Sequence, residues 1–136
     1  SQDTKKGAAV MERKIHRLTR AQRIEEEKQF TVNGIIDVCK NSKWRNIGIT
    51  SSSRNYRGID TIIQLLNKRS KEKGLELSFC ELKPVAYFAE ALEEAKKCDG
   101  LILSESYGYT YYSELDKCTR LLEENNIPIA GVVIVR

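Results

Sequence analysis

Ile47-Gly48-Ile49-Thr50-Ser51-Ser52-Ser53-Arg54-Asn55-Tyr56-Arg57-Gly58-Ile59-Asp60-Thr61-Ile62-Ile63-Gln64-Leu65-Leu66 is the stretch on which the fold turns. Ile47 to Thr50 reads as a short buried strand and Ser51 to Gly58 as a polar loop. Ile59, Ile62, Ile63 and Leu66 fall at i, i+3, i+4 and i+7, one stripe of an α-helix. A strand, a loop of small residues and a helix N-terminus together form the layout that holds phosphates. A working loop of that kind places a Lys and a hydroxyl after its last glycine. Here Gly58 is followed by Ile59 and Asp60. The shape of a nucleotide site is written in the sequence, and its chemistry is missing.

Downstream, the charged run Lys68 to Lys73 ends at Gly74, a helix stop. Leu75 to Leu82 reads as a second strand, with Leu75, Leu77 and Phe79 alternating and Pro84 closing it. Val85 to Lys97 predicts a helix with Phe88, Ala91, Leu92 and Ala95 on one face. Gly100 to Leu103 is continuously apolar, as a strand covered on both faces should be. A tyrosine-rich loop follows, then a helix from Ser113 to Glu124, with Ser113 as N-cap and Asp116 three residues on. Ile129 to Val135 is the last strand. Upstream, Met11 to Lys28 has helical composition but only a thin stripe (Met11, Ile15, Leu18, Ile24). Val32, Ile35, Ile36 and Cys39 make a stronger one, predicting a helix over Glu26–Lys40. This alternation predicts an α/β fold of three layers, a mainly parallel sheet of about four strands with helices on both faces. Ser51–Gly58, Glu81–Pro84 and Ser104–Ser113 then all emerge at the carboxyl edge, where such sheets bind ligands.

With 136 residues, 40% of them hydrophobic, the chain can bury a single core. No apolar run is long enough to cross a bilayer. Cys39, Cys80, Cys98 and Cys118 lie far apart and His16 is the lone histidine. That pattern indicates reduced thiols in a cytoplasmic protein, with neither a metal site nor a disulfide framework. The net charge is +4, and residues 1–30 hold eight Lys or Arg against five Asp or Glu. The segment reads either as a solvated helix or arm, or as a juxtamembrane segment drawn to anionic lipid, where each basic residue contributes about 1 kcal/mol. Nucleic acid is not expected, because no aromatic residues are interleaved with the basic ones. The division expected is a basic linker helix over 1–25 and one α/β domain over 26–136.

Three stretches together resemble the cytoplasmic domain of the bacterial tyrosine kinases of capsule and exopolysaccharide synthesis, in the MinD/ParA-like P-loop group. Asn46 to Thr61 resembles the strand and Walker A loop, with Thr50-Ser51-Ser52 in the place of the family's Thr-Ser-Ser. Cys80-Glu81-Leu82-Lys83-Pro84-Val85, with Ala91-Leu92 and Cys98 to Leu103, resembles the Walker B strand, its turn and the following helix and strand. Ser113-Glu114-Leu115, Leu121-Leu122-Glu123 and Ile127-Pro128-Ile129-Ala130-Gly131-Val132-Val133 resemble the late helix–strand unit. The likeness covers roughly residues 44–136.

What the resemblance implies is a reduced P-loop-like fold and a degenerate member of the family. The phosphate-binding Lys is Gly58, the magnesium-binding hydroxyl is Ile59, and the Walker B aspartate is Glu81. A second aspartate-rich Walker segment and the terminal tyrosine cluster are missing from this stretch. Ser51, Ser52, Ser53, Arg54, Asn55, Arg57 and Gly58 are then the remains of the phosphate loop. Arg54 and Arg57 read either as solvated charges or as a grip on an anion. Tyr107, Tyr109, Tyr111 and Tyr112 are four of the six tyrosines. They read as rings covering the cleft or a subunit contact, or as phosphoacceptors for a partner kinase. Where the related kinases carry E-x-x-R-x-x-R for ring assembly, this chain has Glu27, Phe30 and Asn33. The expectation is a non-catalytic, pseudo-kinase domain without a cofactor, regulating a polysaccharide chain-length or export protein. It would lie on the cytoplasmic side of the membrane, attached to a membrane-embedded N-terminal portion, with a kinase or polymerase as possible partner. As an isolated domain it would be a monomer or weak dimer. The alternative expectation is an ATPase or kinase-type enzyme using an atypical phosphate loop.

Overall fold

Five residues, Asn46–Thr50 (β1), are the middle of a four-stranded sheet in the order β2-β1-β3-β4. The computed structural model describes residues 18–55, 58–108 and 111–135. Over these the chain runs α1 (Arg20–Asn41), β1, α2 (Ile59–Glu72), β2 (Ser78–Glu81), α3 (Ala89–Ala95), β3 (Gly100–Ser106), α4 (Tyr112–Glu124) and β4 (Ile129–Val135). Every strand pair is parallel. The first crossover leaves β1 toward β2 and the next returns past β1 to β3. The switch point therefore lies between the carboxyl ends of β1 and β3, where α/β sheets open a crevice.

The two faces carry separate cores. Ile47 and Ile49 point to one face, with Ile102 and Val133, and meet Val32, Ile35, Ile36 and Cys39 of α1 and Ile59, Ile62 and Leu66 of α2. Leu101 and Leu103 point to the other, against Ala91 and Ala95 of α3 and Cys118 and Leu122 of α4. On this second face β1 offers Gly48 and, at its end, the buried Thr50. A Cβ at residue 48 would lie 2.6 Å from a Leu101 methyl and 2.8 Å from one of Leu82. Around Gly48 the second core is closed by its neighbours' side chains.

The apolar stripes fall where the sequence places them, but five boundaries differ. One helix, α1, replaces the two expected segments, and residues 25 and 26 are consecutive within it. It starts early because Thr19 and Gln22 form a capping box. The Gln22 N–H donates to Thr19 Oγ1 at 3.1 Å and the Thr19 N–H to Gln22 Oε1 at 2.8 Å. β2 begins at Ser78 rather than Leu75, since Ser78 pairs with Asn46, the first residue of β1. α3 begins at Ala89 rather than Val85, because Pro84–Tyr87 is a turn closed by the Tyr87 N–H on the Pro84 carbonyl. β3 runs three residues beyond Leu103, paired with β4 as far as Ser106 and Val135. α4 is capped by Tyr111, without a side-chain bond, rather than by Ser113. The segment up to residue 17, Arg57 and Tyr109 lie outside the described residues.

At the opposite, amino edge of the sheet, Asp99 joins the starts of β1 and β3. Its Oδ2 accepts from the N–H groups of Arg45 (2.7 Å) and Asn46 (2.9 Å). These two bonds, that from Asn46 the stronger in effect, hold its carboxyl below the ordinary value of 3.8. A depressed folded-state pKa gives stability that is complete above the unfolded value, near pH 4, and lost as pH falls through the folded one. Replacing Asp99 by Asn should therefore lower the melting temperature at pH 7, and the gap to wild type should shrink as pH falls below the unfolded carboxyl's value. Thermal melts from pH 2 to 8 check this, and a gap independent of pH overturns it.

Candidate functional site

Thr50 through Ser53 are buried, and the loop they open lies over the crevice between β1 and β3. In a phosphate loop the backbone N–H groups stay open for the ligand. Here the N–H groups of Ser52, Ser53 and Asn55 are taken by side chains. The Ser52 N–H donates to Glu105 Oε1 at 2.8 Å, and the Ser51 hydroxyl donates to Glu105 Oε2 at 3.1 Å. The Ser53 N–H donates to Ser51 Oγ and the Asn55 N–H to Ser53 Oγ, both at 3.2 Å. Serine hydroxyls accepting from the backbone two residues on form turns that need no ligand. Glu105 comes from β3 and is 4% exposed. Its carboxylate stands where a bound anion would meet this loop.

The helix start is altered as well as the loop. Gly58 caps α2 with φ 77° and ψ 7°, the left-handed region that a Lys would occupy only under strain. A Cβ at Gly58 would approach Val135 Cγ1 to 3.0 Å. Ile59, in the place of the magnesium-binding hydroxyl, is 2% exposed and belongs to the first core. Both positions serve the packing of α2 against the sheet, and neither offers a charge or a hydroxyl to the crevice.

The other residues singled out from the sequence lie apart from this centre. Arg54 is exposed and its guanidinium sits 5.2 Å above the Tyr87 ring. Tyr87 also meets the Lys117 ammonium from α4 and donates to Glu114 Oε2 at 3.2 Å. Burial, then the Glu114 carboxylate, push the Tyr87 hydroxyl up from its ordinary value. Glu81 is exposed at the end of β2. Among the described residues no three His, Cys, Asp or Glu side chains come together as metal ligands. Tyr107, Tyr111 and Tyr112 are exposed and, with Leu115, Val132 and Ile134, line a groove of about 260 Å³ between α4 and the edge strand β4.

Glu105, which the sequence offers only as a loop carboxylate that could pair with Glu81, and Cys118, which it offers only as an inner-face residue of the last helix, take other parts here. Glu105 belongs to a stretch that reads as loop, and only its pairing with Ile134 in β4 turns it toward Ser51. Cys118 of α4 lies beside the Ser52 hydroxyl under the loop. Burial pushes its thiol up, the Ser52 contact works against that, and Glu105 adds to the rise.

The fold and the site together define a doubly wound α/β domain whose anion-type loop is closed by its own glutamate. No protein-family model, curated protein or solved structure matches this chain.

Removing the Glu105 acceptor leaves a buried N–H and a buried hydroxyl unpaired, each costing about 1–3 kcal/mol. Glu105→Ala should therefore destabilise the domain by about 3 kcal/mol. Glu105→Gln, which keeps an acceptor for the Ser52 N–H, should cost about 1 kcal/mol. Urea unfolding separates the two, and equal losses would show that the carboxamide does not replace these bonds.

Proposed function

We propose that this chain is a non-catalytic regulatory or assembly domain, a pseudo-kinase of the capsule and exopolysaccharide type. It acts at the cytoplasmic face of a bacterial membrane as part of a chain-length or export protein. One observation carries the non-catalytic part: in the loop that would cradle phosphate, the N–H groups of Ser52, Ser53 and Asn55 are bonded to Glu105, Ser51 and Ser53. Phosphoryl transfer depends on positioning and charge neutralisation, and Gly58 and Ile59 supply neither Lys nor hydroxyl. The link to polysaccharide export rests on the sequence resemblance over residues 44–136. The expected partners are a membrane-embedded N-terminal portion of the same protein and a separate kinase or polymerase.

The E-x-x-R-x-x-R helix is also reassigned. Asn33, at the second arginine position, accepts from Arg69 Nε of α2 at 2.6 Å, and Phe30 at the first is 83% exposed. A helix partner within the domain has taken one of these positions, which supports a monomer or weak dimer.

ATP with magnesium should leave the melting temperature unchanged. A nucleotide at 100 times its Kd would add about 2.7 kcal/mol, a rise of roughly 10 °C for a chain of this size. Such a rise, accompanied by magnesium-dependent ATP turnover, would establish the enzyme reading instead. The membrane part has its own check. Neutralising Arg13, Lys14, Arg17, Arg20 and Arg23 should weaken binding to anionic vesicles without lowering the melting temperature. Arg20 and Arg23 sit in the opening turns of α1, where positive charge opposes the helix dipole. Wild-type protein that ignores anionic vesicles at low salt removes the juxtamembrane reading.

A further inference from the structure

Cys80 and Cys98 meet on the α3 face of the sheet, away from the plugged loop. Cys80 lies in edge strand β2 directly across from Gly48 of β1. Cys98 precedes β3, and its Sγ is 3.2 Å from where a Cβ on Gly48 would be. The missing side chain at residue 48 leaves room for the Cys98 thiol beside its register partner Cys80. Cys98 also reaches the Glu94 carbonyl at 3.6 Å. Both are free; Cys80 is exposed, Cys98 is half-buried, and the remaining cysteines, Cys39 and Cys118, are buried. An exposed thiol beside a sheltered second one is the arrangement of an attacking and a resolving cysteine.

We propose that Cys80 and Cys98 form a redox-active dithiol, which low-molecular-weight disulfides convert to an intramolecular disulfide and dithiol reductants restore. The Cys80 thiolate attacks one sulfur of the small disulfide, whose S–S bond breaks and releases one thiolate. Cys98 then gives its proton to solvent and attacks Cys80 Sγ, expelling the second thiolate. Two protein thiols are oxidised, the small disulfide is reduced to two thiols, and the two protons end on those leaving thiols. Burial, followed by the nearby Cys80, pushes the Cys98 thiol up to about 11. The first attack therefore falls to Cys80, and resolution is the slower step.

Oxidised glutathione added to the folded chain, followed by alkylation and peptide mapping, tests this. A Cys80–Cys98 linked peptide should be the main product, with a melting temperature raised by roughly 5 °C as the chain between them is closed into a loop. Dithiothreitol should reverse both changes. Cys98→Ser should stop at a glutathione adduct on Cys80, and Cys80→Ser should give no adduct. A lasting adduct on Cys80 of the wild-type chain, a Cys80-linked dimer, or no reaction would each overturn the proposal.

Discussion

β1 has a hydrogen-bonded strand on each side and a helical layer on each face, and the remainder of the chain is arranged to meet those four demands. Ile47 and Ile49 fill one face, and Gly48 leaves the other to Leu101 and Leu82. A fully buried Ile or Leu contributes about 1.5–3 kcal/mol, and Ile36, Ile47, Ile49, Ile62, Leu66 and Leu101 are all 0% exposed. The ion pairs Arg69–Glu72, Lys73–Asp37 and Arg120–Asp116 are surface contacts, of a kind worth about 0–1 kcal/mol each. The two cores therefore hold the sheet, and the surface charges adjust it.

A sheet so arranged must open a crevice where the crossovers diverge, and a crevice lined with donors calls for an acceptor. In this chain the acceptor is internal. Glu105 fills it from β3, so the Ser52 N–H and the Ser51 hydroxyl are paired without a ligand, and the loop loses the openness that catalysis would need. Gly58 and Ile59 point the same way. The backbone at 58 and the packing at 59 suit a helix start seated on the sheet, and neither suits one that reaches into the crevice.

Much of this fold is legible in the sequence because the helical stripes are periodic. Val32, Ile35, Ile36 and Cys39, like Ile59, Ile62 and Leu66, are read directly and found buried. The edges are less legible, since each is set by a partner distant in the chain. Leu75 and Leu77 alternate like a strand but have no residue of β1 opposite them. Ser104-Glu105-Ser106 is polar like a loop, yet continues β3 because β4 extends to Val135. The centre of the site is hidden for the same reason. Ser52 and Glu105 are 53 residues apart, and no local pattern announces that a glutamate will fold back onto a serine loop. That no Lys or hydroxyl follows Gly58 is legible in the sequence; the glutamate that meets the loop is legible only in three dimensions.

Gly100, the first residue of β3, has its bare Cα covered by the Trp44 ring, so that a Cβ there would sit within the indole. Trp44 lies two residues before the start of β1, packs against the first core, and is the chain's single tryptophan. The amino ends of the two central strands are thus joined through the one side chain whose fluorescence is both strong and sensitive to solvent. Emission from this indole follows the packing at the amino edge of the sheet, while the exposed Tyr107, Tyr111 and Tyr112 report from the far, carboxyl edge at shorter wavelength. The domain carries an unlabelled optical probe at each end of its sheet, and a loosening that begins at one edge can be told from one that begins at the other.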